Sequence, residues 1–308
     1  MNRELDLSVR IGKLTLQNPV MPASGTFGYA AEYAPFIDLN RLGAIVVKCI
    51  TPKPRMGSYP HRLAEVASGT VCTIGLQNVG VDRFVEEKMP YLRQLKPPII
   101  VNIGAQTVEE FAGLASRLDK VEGIAALEVN ASCPNVKKGG MHFGTDPDGT
   151  YQAIKAIRES TSLTVITKLT PNVTDITEFA RAAVSAGTDA LSLINAPLAM
   201  AIDVETRKPK LGKNVTGGLT GPAVKPIAVR MVWQVANAVD VPIIGVGGIT
   251  CAEDALEFII AGASAIQIGS YNLVDPSSLI KTIEGIKAYM LRKKINRFRD
   301  LIKSLAVS

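Results

Sequence analysis

One thiol and a set of carboxamides stand close together in the stretch 125–144, AALEVNASCPNVKKGGMHFG, and a thiol with amide partners suggests a proton-transfer site. Residues 126–130 read as a short buried strand. A polar, glycine-bearing loop follows, releasing Asn130, Ser132, Cys133 and Asn135 together at the strand's carboxyl end, where α/β proteins place their chemistry. A cysteine is also commonly a small buried hydrophobe, and its letter alone does not separate the two roles, because thiolate character depends on surroundings. Lys137 and Lys138 are close enough in sequence to favour a thiolate.

Two lysines and two groups of glycines form a second constellation. Lys48 and Lys168 fall in apolar runs, where a lone ammonium is expensive to bury, so each should meet an anion or a polar ring. Gly245-Val246-Gly247-Gly248-Ile249 and Gly269-Ser270 let backbone N–H groups approach a phosphate closely, and Gly217-Gly218-Leu219-Thr220-Gly221-Pro222 offers further donors. Such a corner suits a flavin phosphate, pyridoxal phosphate or a sugar phosphate. A lysine beside it stabilises an anionic reduced flavin or forms a Schiff base, so a phosphate-binding lyase using Lys168 stays open at this level.

The elements that must position these groups repeat along the chain. Short β-branched apolar runs at 19–23, 44–48, 99–103, 126–130, 164–169, 190–194, 242–246 and 265–268 alternate with helix-length amphipathic segments. Continuous rather than alternating apolar character argues for strands covered on both faces. Eight such units predict one (β/α)8 TIM barrel spanning residues 1–308, with its chemistry at the strands' carboxyl ends. A doubly wound open sheet is the weaker alternative, for want of an early Gly-x-Gly-x-x-Gly. Residues 7–11 and 14–16 predict an N-terminal hairpin capping the barrel's bottom. The long connections 51–78 and 197–222 predict loops over the catalytic face. From Asp275 onward, Leu291, Ile295, Phe298, Ile302 and Leu305 predict a basic amphipathic helix running to the end as a cover for the barrel.

At 308 residues, 47% apolar and 20% charged, the chain can bury a large core. No apolar run approaches the roughly 20 residues that span a bilayer. The charged start Met1-Asn2-Arg3-Glu4 lacks a signal-peptide h-region, so the expectation is a cytoplasmic chain. Its net charge of +6 is dispersed and calls for an anionic small molecule no less than for nucleic acid. Cys49, Cys72, Cys133 and Cys251 are too far apart in sequence to form a metal or cluster ligand set, so no metal is expected in this chain.

Asn130-x-Ser132-Cys133-Pro134-Asn135-Val136-Lys137 followed by Gly139-Gly140 resembles the active-site loop of class 1 dihydroorotate dehydrogenases, and Lys137-Lys138-Gly139-Gly140 is similar to the NAD-linked 1B subtype. The likeness extends through Pro22-Ala23-Ser24-Gly25, Val47-Lys48, Gly75-Leu76-Gln77-Asn78, Gly144-Thr145-Asp146-Pro147, Lys168-Leu169-Thr170-Pro171-Asn172-Val173, Ile194-Asn195 and Gly247-Gly248. It implies FMN contacts at Ser24, Lys48, Asn102, Asn130, Lys168, Ile194, Gly221, Gly247, Gly248, Gly269 and Ser270. For dihydroorotate or orotate it implies Lys48, the segment Cys72, Thr73, Ile74, Gly75 and Leu76, then Asn130, Asn135, Asn195 and Ala196. Cys133 would be the base that takes the C5 proton while FMN N5 accepts the C6 hydride. The resemblance also implies a homodimer joined to a partner subunit that carries FAD and a [2Fe-2S] cluster and reduces NAD, a heterotetramer in all.

Two positions depart from the pattern. The family has Asn where this chain has Cys72, and Ser or Thr where it has Ala196. Other FMN barrels therefore remain rivals, either a dihydropyrimidine dehydrogenase-like enzyme or a tRNA dihydrouridine synthase, although the short basic C-terminal helix offers little RNA-binding surface.

Overall fold

Runs of Val, Ile, Leu and Ala that are buried on both faces make the strands, and capped amphipathic segments make the helices. The computed structural model describes residues 5–130 and 144–306. Its eight parallel strands are β1 (Val20–Pro22), β2 (Ile45–Ile50), β3 (Ile99–Ile103), β4 (Ile124–Asn130), β5 (Thr164–Leu169), β6 (Ala190–Leu193), β7 (Ile243–Val246) and β8 (Ala265–Ile268). They lie in the spatial order β1-β8-β7-β6-β5-β4-β3-β2, and the Gly43 N–H donates to Val20 O at 2.9 Å across the two end strands. The sheet is thus a nearly closed barrel, as the eight apolar runs required. Every residue of β3, β5 and β6 is buried, which explains why these runs show no alternation.

The helices α1 (Val108–Asp119), α2 (Pro147–Ser160), α3 (Ile176–Ser185), α4 (Lys225–Ala236), α5 (Ala252–Ala261) and α6 (Ser278–Lys293) cover this sheet. Thr107 starts α1 by accepting from Glu110 N, and Phe111, Leu114, Ala115 and Leu118 give it one buried stripe. Burying each of the Phe and Leu side chains contributes roughly 1.5–3 kcal/mol. Among the described residues no helix is long and apolar enough to cross a membrane.

The hairpin Val9–Ile11 and Leu14–Leu16 caps the bottom of the barrel as expected. Its turn residue Gly12 has φ +56°, and a Cβ there would lie 2.7 Å from Thr164 Cγ2, at the first residue of β5. The two long connections also cover the top, but they do so jointly, which was not legible in the sequence. Leu63–Val66 and Gly69–Cys72 from the first pair with Thr216–Thr220 and Leu198–Met200 from the second in one four-stranded antiparallel sheet. Long-range antiparallel pairing leaves no local period that links the two segments.

The C-terminal expectation needs correcting. Helix α6 stops at Lys293, where Lys294 takes the left-handed conformation with φ +58°. The chain then runs beside the N-terminus, where Asp6 N donates to Asn296 O at 2.9 Å and Phe298 N to Asp6 O at 2.8 Å. Phe298 and Leu301 are buried by a 3-10 turn, Phe298–Leu301, while Leu291 and Leu305 are exposed. The apolar spacing that resembled a continuous helix came from two separate elements.

Candidate active site

A cavity of about 530 Å³ opens at the carboxyl ends of the barrel strands. Strand ends and the residues that follow them supply its wall in the order the sequence implied: Ser24 after β1, Lys48 in β2, Asn130 closing β4, Lys168 in β5 and Ile194 after β6. Gly247 and Gly248 after β7, Gly269 and Ser270 after β8, and Gly221 from the second connection complete one end. The antiparallel sheet forms the outer wall through Leu219 and Thr220, named above only as backbone donors, and through Glu65, Val66, Gly69 and Thr70, which the sequence reading did not single out. Their signal was absent because it depends on the pairing of the two connections.

The two lysines have different surroundings. Burial pushes the Lys48 ammonium below the usual lysine range, with Cys49 and Glu32 opposing that shift, and among the described residues Lys48 has no ion-pair partner. It is therefore a ready anion or ring-oxygen site. Lys168 is 6% exposed and lies 3.8 Å from Glu128 Oε1. Glu128 is fully buried and accepts from Asn102 Nδ2 and Gln267 Nε2, each at 2.6 Å. Asn102 is thus not in the cavity wall: it is fully buried and spends its amide on this carboxylate. A charged residue within the apolar run of β4 was the available signal for Glu128, and the sequence reading passed over it.

The glycine-rich end has the chemistry of an anion cradle. The backbone N–H groups of Gly248, Ile249 and Gly269 make no hydrogen bond to described residues. Gly248 has φ +71°, and a Cβ there would sit 2.7 Å from Lys225 N, so a side chain is excluded where a phosphate would approach. Gly245, grouped with these residues by sequence, serves packing instead, since its Cβ would meet Phe258 Cδ1 at 2.5 Å.

Behind the cradle, Lys225 Nζ contacts Asp254 Oδ1 and Glu257 Oε1, each at 2.6 Å. Asp254 Oδ2 accepts from Thr250 N at 2.9 Å, Thr250 Oγ1 at 2.7 Å and Cys251 N at 3.3 Å. Burial alone would raise the Asp254 carboxyl, but the Lys225 ammonium and the Thr250 donors outweigh it and hold it at about 2. A depressed folded-state value stabilises the fold above the ordinary carboxylate range, and that stability is lost as pH falls toward about 2. Asp254→Asn should therefore cost about 2 kcal/mol at neutral pH, with the gap to the parent closing between about pH 4 and 2 in thermal melts. A pH-independent gap would show that the side chain acts by shape alone.

At the other end, Asn195 Nδ2 donates to Asn130 Oδ1 at 3.1 Å, so these carboxamides from β4 and the end of β6 lie side by side. Asn172, quoted above within a motif but given no role, donates to Ala196 O at 3.4 Å and accepts from Leu198 N at 2.8 Å. Asn78 clasps the base of the first connection by accepting from Thr51 N and Gly80 N and donating to Thr51 Oγ1 and Leu76 O. The clasp presents Ile74 and Leu76 to the cavity, whereas Cys72, Thr73 and Gly75 are not in its wall. Burial pushes the Cys72 thiol up, which keeps it neutral. The two departures flank one glycine: Gly218 pairs with Cys72, and its Cβ would meet Ala196 Cβ at 2.5 Å. Ala196 does line the cavity. Cys133 and Asn135 lie outside the described residues.

A family model described as dihydroorotate dehydrogenase matches residues 6–290. A protein of Geotalea uraniireducens named dihydroorotate dehydrogenase B (NAD(+)), catalytic subunit, is 52% identical over 300 residues, covering 97% of this chain and 98% of its own. One of Desulforamulus reducens with the same name is 54% identical over 299 residues, again covering 97% and 98%. A crystal structure of DHODH from Eimeria tenella in complex with ferulenol superposes with a TM-score of 0.82 at 23% identity, over 98% of this chain and 89% of that one, which supports the barrel fold.

Proposed function

This chain belongs to the dihydroorotate dehydrogenase family, and we propose that it works as the FMN-bearing catalytic subunit of an NAD-linked enzyme, as one barrel domain. It oxidises (S)-dihydroorotate to orotate in pyrimidine biosynthesis. The observation that carries the cofactor reading is one cavity that joins an unpaired backbone cradle at Gly248, Ile249 and Gly269 to the Lys48 and Lys168 ammoniums. That donor set fits FMN, with the cradle for its phosphate and the lysines for the electron-rich edge of its ring.

When bound, FMN supplies the acceptor for the hydride that leaves C6. The chain's own residues do the remaining work. Asn130 and Asn195 offer paired carboxamides to a ring of alternating N–H and C=O groups, and Lys48 neutralises anionic charge. Cys133, three residues beyond Asn130, takes the C5 proton. Ile74 and Leu76 exclude water from one side.

The relatives' designation as a catalytic subunit implies a partner subunit. We assign that partner FAD and a [2Fe-2S] cluster, in a heterotetramer built on a homodimer of this chain in the cytoplasm. Exposed Leu198, Met200, Ile202 and Val204 on the second connection favour a buried interface there in the assembly.

Purified alone, the chain should be yellow, bleach on anaerobic addition of dihydroorotate, pass electrons to artificial acceptors and reduce NAD poorly. A flavin-loaded protein that dihydroorotate leaves oxidised would refute the substrate. The Cys72 and Ala196 departures, meeting at Gly218, favour one second reading, a related dihydropyrimidine substrate, so dihydrouracil belongs in the same titration.

A further inference from the structure

We propose that Glu128 is a positioning residue acting through Lys168: its buried carboxylate holds the lysine ammonium at the cavity and so sets how strongly the site favours a reduced, negatively charged flavin. The inference rests on the flavin reading above and adds a residue for which that reading has no role. Glu128 lies in β4 two positions before Asn130, and the register pairs it with Ile166 and pairs Asn130 with Lys168. The carboxylate therefore sits one layer below the ammonium, on the same inward face of adjacent strands.

Both carboxylate oxygens are anchored. Asn102 of β3 donates to Oε1 and Gln267 of β8 donates to Oε2, so the group is held from two sides of the barrel. The arrangement leaves Asn102 Oδ1 and Gln267 Oε1 buried with no hydrogen-bond partner among the described residues. Unpaired buried carbonyls are costly, so the two amides are oriented by the carboxylate rather than by their own needs. Lys168 Nζ stands 3.8 Å from Oε1, close enough to feel the charge and too far for a hydrogen bond. Its N–H donors are thus left over for a ligand while Glu128 fixes where the charge sits. Among the described residues Lys168 has no other acidic partner.

The test is Glu128→Gln in the FMN-loaded chain, read by midpoint potential and FMN dissociation constant. Gln267 or Asn102 can turn its unpaired carbonyl toward the new amide, so the variant keeps the floor's volume and hydrogen bonds. Without its counter-charge the ammonium is no longer fixed in place, and the lysine chain samples positions further from the ligand. FMN should still bind, about tenfold more weakly, and the reduced form should lose about tenfold in its equilibrium with the oxidised one, a fall of about 30 mV for a two-electron couple. Gln267→Met, which removes one anchor and keeps the carboxylate, should shift both readings the same way by less. In a Lys168→Met background, adding Glu128→Gln should change neither.

A potential that rises in Glu128→Gln would mean that the carboxylate merely subtracts charge from a lysine that stays in place, and the proposal is overturned. An unchanged potential, or an effect that survives in Lys168→Met, overturns it equally. If the parent chain takes up no FMN, the flavin reading falls and this inference with it. If the parent binds FMN and is bleached by dihydroorotate while Glu128→Gln matches it, only the role of Glu128 is lost.

Discussion

Replacing Cys133 with alanine should leave a yellow protein whose flavin is reduced by dihydroorotate about 10²- to 10⁴-fold more slowly, the range a positioned general base contributes. Oxidation across C5–C6 removes a proton and a hydride from neighbouring carbons, and a hydride leaves readily only if the proton has somewhere to go. Cys133 follows Asn130 by three residues, and three residues reach no further than about 11 Å. Asn130 is itself in the cavity wall, and the proposed base follows it closely in sequence. Cofactor content should be unchanged, because the cradle at Gly248, Ile249 and Gly269 comes from other strands. Cys133→Ser separates basicity from shape: a hydroxyl is the weaker base at neutral pH, so this variant should remain slow and recover as pH rises. Anaerobic stopped-flow at the flavin band measures both. Full-rate reduction in Cys133→Ala would remove the thiol from the mechanism.

Much of the barrel was legible because its strands are buried on both faces, so β3, β5 and β6 stand out as unbroken apolar runs between capped amphipathic helices. Ser24, Lys48, Asn130, Lys168 and Asn195 were legible as polar residues at the ends of such runs, and the structure brings all five to one cavity. Other features depend on contacts distant in sequence. The outer wall at Glu65, Thr70 and Leu219 exists only because two connections pair across some 150 positions, as in the Thr220 Oγ1 donation to Thr70 O. Asn102 stood out as a polar residue in an apolar run, but that it donates to Glu128 depends on which buried acceptor lies within reach. Gly245 and Gly248 are the same letter three positions apart, yet one admits Phe258 and the other bends the chain at φ +71°. The final turn was misread because Lys294 in the left-handed conformation interrupts a spacing that Phe298 resumes for another reason.

Lys48→Met should weaken orotate binding and lower kcat/KM for dihydroorotate by about 10²-fold while leaving the ligand-free chain as stable as the parent or more so. The two effects diverge because burial already disfavours the Lys48 ammonium in the folded chain, and among the described residues no carboxylate pairs with it. An uncompensated charge costs folding free energy until a ligand supplies the partner. The sign follows from linkage: with the folded value below the unfolded one, the unfolded chain holds more protons at alkaline pH, so the Lys48 contribution becomes less unfavourable as pH rises through the folded value. The ligand-free parent should therefore gain stability relative to Lys48→Met on going from neutral to alkaline pH. Orotate should reverse the comparison at neutral pH, raising the melting temperature of the parent far more than that of the variant. Melting curves across pH, with and without orotate, give both readings. A variant that melts lower than the parent without ligand and binds orotate as well would show that Lys48 is a structural residue rather than the charge that receives the substrate.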